Sequence, residues 1–115
     1  MIKVLFTWKK NPNLTEEQQE NHYLKIHTPI AKKALGTARR YSQHKVLKQT
    51  VYNQAGEAIE VKPEFDRFVV LWFDSREAME QAFASPDMIA ANADQKNFMD
   101  ETSIKIYEID ETIVL

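Results

Sequence analysis

Six consecutive large apolar residues, Phe68-Val69-Val70-Leu71-Trp72-Phe73, constrain this chain more than any other stretch. Side chains alternate across a β-strand, so a strand built from this run has no polar face to turn to water. It must be covered on both sides. The helical phrase that follows, Arg76 to Phe83, supplies one cover, with Asp74 or Ser75 as its cap and Ala78, Met79, Ala82 and Phe83 as its buried side. The second cover must come from elsewhere.

The remaining elements fall in order around that strand. Ile2, Val4, Phe6 and Trp8 alternate with Lys3, Leu5, Thr7 and Lys9, which predicts a first strand with the apolar series inward, ended by Asn11-Pro12-Asn13. Thr15-Glu16-Glu17-Gln18 is a capping-box helix start. Tyr23, Ile26, His27, Ile30 and Ala34 then recur at helical spacing. Pro29 deprives the Lys25 carbonyl of its donor, so the pattern predicts a kink, or a break and restart near Thr28. Gly36 stops the helix, and the loose alternation from Arg39 to Tyr52 predicts one bent or bulged strand. Residues 53–64, turn-rich and broken by Pro63, read as a surface excursion. Ser85-Pro86-Asp87 divides the later helical region in two, and Ser103 to Ile109 alternates as the last strand.

The order β-α-β-β-α-β is the split βαβ pattern of an α+β, ferredoxin-like sandwich, helices on one side of a four-stranded antiparallel sheet. At 115 residues the chain is one domain, 1–115. Its open sheet face is expected to carry parts of Val4/Phe6/Trp8, of the Phe68 to Phe73 run and of Ile104/Ile106. A patch that large predicts a homodimer through the open sheet face. The Ile113-Val114-Leu115 tail is expected to pack on something, a partner chain included.

Composition closes off several functions. With 15 Lys and Arg against 17 Asp and Glu the net charge is -2, which offers no long-range attraction to nucleic acid or an anionic membrane. The absence of Cys removes disulfides, thiolate nucleophiles and zinc–thiolate sites, and it fits a cytoplasmic location. Neither a secretory signal nor a membrane-spanning segment is expected. Two glycines, Gly36 and Gly56, build no phosphate loop. His22 and His27 lie five apart, on different faces of an ordinary helix, so no protein-ligated metal is expected, and no sequence flanking His27 asks for haem or another cofactor.

His22-Tyr23, His27-Thr28-Pro29-Ile30, Arg40-Tyr41, Phe65 to Ser75, Ser85-Pro86 and Ala93-Asp94 with Phe98 together resemble the EthD family, of the dimeric ferredoxin-like α+β barrel superfamily. The likeness spans nearly the whole chain outside the excursion at 53–64. It implies two sheets packed back to back as a dimeric α/β barrel, with a pocket in each subunit between sheet and helices. Relatives act on aromatic polyketides or lactones as cyclases, decarboxylases, isomerases or cofactor-independent oxygenases, which admits an oxidoreductase. The family's characteristic histidine matches His27, and its strand-start aspartate matches Asp66. Arg67 stands where members commonly have Gly, and Tyr23 where they have Trp.

His27, on the inner stripe beside Pro29, is the candidate general base if one ring nitrogen is fixed and the other faces a cavity. The competing role is a core histidine that satisfies the carbonyl freed by Pro29. Asp66 is the candidate partner that orients it, or else a turn cap. Tyr41 is the candidate donor to a developing oxyanion. Phe6, Trp8, Tyr23 and Trp72 are the candidate pocket walls for a flat, apolar or aromatic molecule, although each also suits ordinary core packing. Proton transfer at a carbonyl-activated carbon is the expected chemistry, and a non-catalytic small-ligand-binding or accessory protein is the alternative.

Overall fold

A computed structural model describes residues 1–115. Strand β1 (Ile2–Lys10) is followed by helix α1 (Glu16–Asn21), a π-helical turn (His22–His27) and helix α2 (Thr28–Ala34). Strands β2 (Arg40–Lys45), β3 (Gln49–Tyr52), β4 (Ala58–Val61) and β5 (Arg67–Phe73) come next. Helices α3 (Arg76–Phe83) and α4 (Pro86–Asp94), a 3-10 turn (Gln95–Asn97) and strand β6 (Met99–Ile109) complete the chain. The main sheet has the order β2-β5-β1-β6 with every neighbouring pair antiparallel. This is the ferredoxin-like α+β arrangement, with the first strand, β1, and β5 side by side at the centre and β2 and β6 at the edges.

The long apolar run alternates after all. Val69, Leu71 and Phe73 are buried beneath the helices, while Phe68, Val70 and Trp72 lie half-buried on the other face. In register with them, Val4 opposes Leu71 and Phe6 opposes Val69, so β1 turns Val4, Phe6 and Trp8 to the helices. These three were expected to contribute to the open face and do not. That face instead carries Leu5, Phe68, Val70, Trp72, Tyr107 and Ile109, interspersed with Lys3, Arg40 and Lys105. The two cations nearest Trp72 stack on its ring: Lys3 Nζ is 4.3 Å and Arg40 Cζ 4.9 Å from the centroid. Lys3 Nζ also pairs with Glu111 at 2.7 Å, which ties the C-terminal segment to the edge of this face.

The helix starts follow the capping chemistry. Thr15 Oγ1 accepts the Gln18 amide at 3.1 Å, and the Gln18 side chain accepts the Thr15 amide at 2.9 Å. Ser75 Oγ accepts the Ala78 amide at the start of α3. The chain answers Pro29 by widening one turn before it. The Thr28 amide reaches back five residues to the Tyr23 carbonyl, which also accepts from Thr28 Oγ1 at 2.8 Å. An ordinary helix then restarts at Thr28 with Pro29 in its first turn, where a missing N–H costs nothing.

The segment expected as one bent strand, Arg39 to Tyr52, is two. β2 pairs with β5, whereas β3 leaves the sheet and pairs with β4 as a separate hairpin. The surface excursion therefore begins at Gln49 and carries its own two-stranded ladder. Its turn is set by Asn53 Oδ1, which accepts from the Ala55 and Glu57 amides at 3.0 and 2.9 Å, and by Gly56 at φ +80°. The last strand starts four residues earlier than Ser103, with a register shift in its pairing to β1 between Thr7 and Lys9. No helix is long and apolar enough to cross a membrane.

Candidate functional site

Between the sheet and the helices lies a cavity of about 420 Å³ whose walls are mainly hydrophobic. Phe6 and Trp8 reach it from β1, Tyr41 from β2, Val69 and Leu71 from β5, and Tyr23 and His27 from the π turn, while α4 contributes the polar Asn92 and the 3-10 turn Gln95. Five of the residues expected at a site, Phe6, Trp8, Tyr23, His27 and Tyr41, thus meet in one space. Two do not. Trp72 belongs to the opposite sheet face, because the six-residue apolar run gave its strand no readable phase. Asp66 sits at the β5 edge and accepts the Lys10 amide at 2.6 Å, a backbone-capping contact that holds β1 to the loop before β5.

The carboxylate that holds His27 is Asp94, at the end of α4. His27 Nδ1 and Asp94 Oδ2 are 2.9 Å apart, His27 Nε2 has no protein hydrogen bond, and the residue lines the cavity while Asp94 does not. The other carboxylate oxygen, Oδ1, lies 2.8 Å from His22 Nε2 and accepts Asn97 Nδ2 at 3.0 Å. The π turn explains why both histidines reach one residue. At 3.6 residues per turn a spacing of five leaves them on separate faces, but a wider turn brings positions five apart into line. The expectation that His22 and His27 point apart is therefore overturned by the turn that Pro29 provokes.

Aromatic packing fixes the rings. Phe98, fully buried, lies 4.5 Å from the His27 ring and stacks on Tyr23 at 5.4 Å and on His22 at 5.6 Å. Trp8 meets Tyr23 and Phe98 edge-on at 5.0 and 5.1 Å. His27 has no slack to rotate between packed aromatic faces while Asp94 holds Nδ1.

Electrostatics set the protonation states. Burial, the largest influence on His27, pushes it below its ordinary value; the Asp94 hydrogen bond and charge push back without prevailing, and the His22 charge adds to the lowering. Its ring is neutral near pH 7, with Nδ1–H donated to Asp94 and Nε2 bare. Burial raises the Asp94 carboxyl, yet hydrogen bonds from Asn97, His22 and His27 outweigh it and hold the group below the usual carboxylate range. Burial raises both Tyr23 and Tyr41. Tyr41 Oη accepts Gln43 Nε2 at 3.2 Å, and Gln43 also donates to Thr28 Oγ1 at 2.8 Å. With its acceptor side engaged and its proton firmly held, the Tyr41 hydroxyl is a donor.

A stability effect follows from the His27 shift. A histidine whose folded value lies below its unfolded value of 6.5 stabilises the fold above that pH, and the contribution is lost as pH falls below it. Urea denaturation at about pH 7.5 and about pH 5.5 should show weaker folding at the lower pH, and His27→Gln should flatten that difference. An unchanged slope in the variant would contradict a neutral buried ring. Asp94 acts in the same direction, but only below its ordinary 3.8.

Asp94 stood in the sequence motif without a role. Its signal is a carboxylate on the stripe Met88, Ala91, Asp94, which packs inward with helical spacing. An acidic residue on a buried stripe needs donors.

The EthD domain model matches residues 11–102. No curated protein matches the chain. Among solved structures, an ethyl tert-butyl ether D (EthD) family protein from Bacillus halodurans superposes with a TM-score of 0.69 at 19% identity, over 97% of this chain and 100% of the other. A dimeric ferredoxin-like protein of unknown function from Thermobifida fusca gives 0.62 at 16% identity, over 94% and 88%. A Deinococcus radiodurans protein provisionally named an antibiotic biosynthesis monooxygenase gives 0.62 at 18% identity, over 100% and 96%. At these identities the likeness is one of fold.

Proposed function

Because the chain belongs to the EthD domain family, we propose that it is a small homodimeric enzyme that moves a proton at a carbon next to a carbonyl, in a flat aromatic or polyketide-like substrate. The observation that carries this reading is the asymmetric environment of His27. One ring nitrogen is fixed by Asp94, and the other is unbonded on a residue that lines an apolar cavity. A core histidine serving packing alone would have both nitrogens satisfied.

His27 Nε2 removes the proton, and the imidazolium so formed is balanced by Asp94. Electron density moves onto the carbonyl oxygen, where the Tyr41 hydroxyl donates a hydrogen bond. Aromatic and aliphatic walls exclude water and strengthen both interactions. The resulting enolate is the shared intermediate of cyclisation and isomerisation. The same carbanion reacts with dioxygen where the substrate is electron-rich, which brings an oxidoreductase within reach of the same residues. Asp94 replaces Asp66 as the orienting carboxylate.

The test is α-proton exchange of aryl ketones in D2O, followed by NMR, with β-tetralone as the first probe. Exchange above the buffer rate that disappears when the cavity is blocked supports the reading. A panel of aryl ketones exchanging at the buffer rate overturns it in favour of a non-catalytic ligand-binding role.

The dimer is proposed to form through the open sheet face, where Trp72 is the largest half-buried side chain. Dimeric relatives of the same fold support this. Trp72→Ala is expected to weaken the dimer by about 2 kcal/mol, roughly thirtyfold in Kd, measured by sedimentation. A wild-type chain that sediments as a monomer at micromolar concentration would remove this assembly.

A further inference from the structure

One carboxylate here serves two imidazoles of different exposure. The His27 side chain is 7% exposed and lies on the cavity wall, whereas the His22 side chain is 21% exposed and takes no part in that wall. Asp94 bridges them, Oδ2 to His27 Nδ1 at 2.9 Å and Oδ1 to His22 Nε2 at 2.8 Å. The charged groups bearing on His27 are Asp94 from α4 and His22 from its own turn. On its other sides it meets the aromatic cluster of Phe98 and Tyr23.

A single carboxylate balances a single imidazolium. A second proton on this trio would place two positive rings on one anion in a part-buried setting, so protonation of one histidine opposes protonation of the other. We infer that His22 is a positioning residue for His27, which controls through Asp94 how readily the unbonded ring nitrogen accepts a proton. While His22 is neutral, the whole Asp94 charge supports a proton arriving at His27. Once His22 is charged, Asp94 is already balanced and His27 becomes a weaker base. The control reaches the cavity without His22 touching anything bound there, and it holds whether or not the aryl-ketone chemistry above is correct.

Histidine-selective ¹⁵N labelling and NMR titration of the full chain test this directly. In the wild type the His27 ring nitrogens should follow two steps, one of them coinciding with the protonation of His22. In His22→Gln the amide still donates to Asp94 but gains no charge. There His27 should titrate in one step, with its proton affinity raised about tenfold. Superimposable His27 curves in wild type and His22→Gln overturn the inference, as does a variant that loses stability while its His27 curve stays unmoved. If His22→Gln does not fold, the wild type decides alone: a single-step His27 curve blind to His22 overturns the coupling.

Discussion

His27→Ala is expected to lower kcat/KM for α-proton exchange about a thousandfold, roughly 4 kcal/mol of transition-state stabilisation, while the circular dichroism and sedimentation of the protein stay unchanged. The expectation rests on geometry. No other ring nitrogen lines the cavity with its partner fixed: His22 is outside the wall, and His44 lies on the opposite sheet face, bonded to Ser42 Oγ at 2.9 Å and stacked on Phe68 at 4.5 Å. Removal of the imidazole leaves no base to substitute for it. Tyr41 and the apolar walls remain, so residual exchange above the buffer rate is expected to persist, as oxyanion stabilisation alone retains part of a rate enhancement. Truncation also leaves a space lined by Phe98 and Tyr23, large enough for added imidazole to restore part of the rate. Full turnover by a folded His27→Ala protein would end the mechanism.

Asp94→Ala is expected to cost about 3 kcal/mol of folding stability, read as a lower urea midpoint at unchanged slope, and to lower the exchange rate as well. Three donors lose their acceptor together: His22 Nε2, His27 Nδ1 and Asn97 Nδ2. His27, 6% exposed, has no access to water that would replace the bond. Without the anion its ring is freed to flip, and an imidazolium formed during reaction has no counter-charge. Asp94→Asn separates the two effects. An amide still accepts one N–H and so recovers part of the stability, yet it supplies no charge and leaves the rate low. Stability within about 0.5 kcal/mol of wild type in Asp94→Ala would show that the three contacts are dispensable.

The sequence made some of this legible and hid the rest for physical reasons. Thr15 and Gln18 cap α1 through local chemistry that needs no tertiary context, and the structure has both bonds. Element order follows from periodicity, which is why the ferredoxin-like arrangement and its EthD affiliation could be read in advance. Phase was the harder quantity. Phe68 to Phe73 contains no polar residue to mark a face, so Trp72 was assigned to the cavity while it stacks with Lys3 and Arg40 on the far side. Asp66 was chosen to orient His27 because it begins an apolar strand. Its carboxylate is instead consumed by the Lys10 amide, a contact across 56 residues that no local pattern encodes. Asp94 was overlooked because its partners are brought to it by a turn that departs from the 3.6-residue repeat.

That departure makes chain length a structural variable in its own right. His22 and His27 stand five positions apart, and the turn accommodates that spacing by carrying one more residue than an α-helical turn holds. Excision of a single residue there, such as the exposed Leu24, would let the segment heal into regular helix with the two histidines four apart, about 40° from one another and still on one face. Point substitutions at Leu24, Lys25 or Ile26 other than proline leave the residue count of the turn unchanged. In this segment the loss of one residue is the mild lesion, and a change that draws the turn back to 3.6 residues per turn with every residue retained, swinging His22 by roughly 100° from the acid, is the severe one.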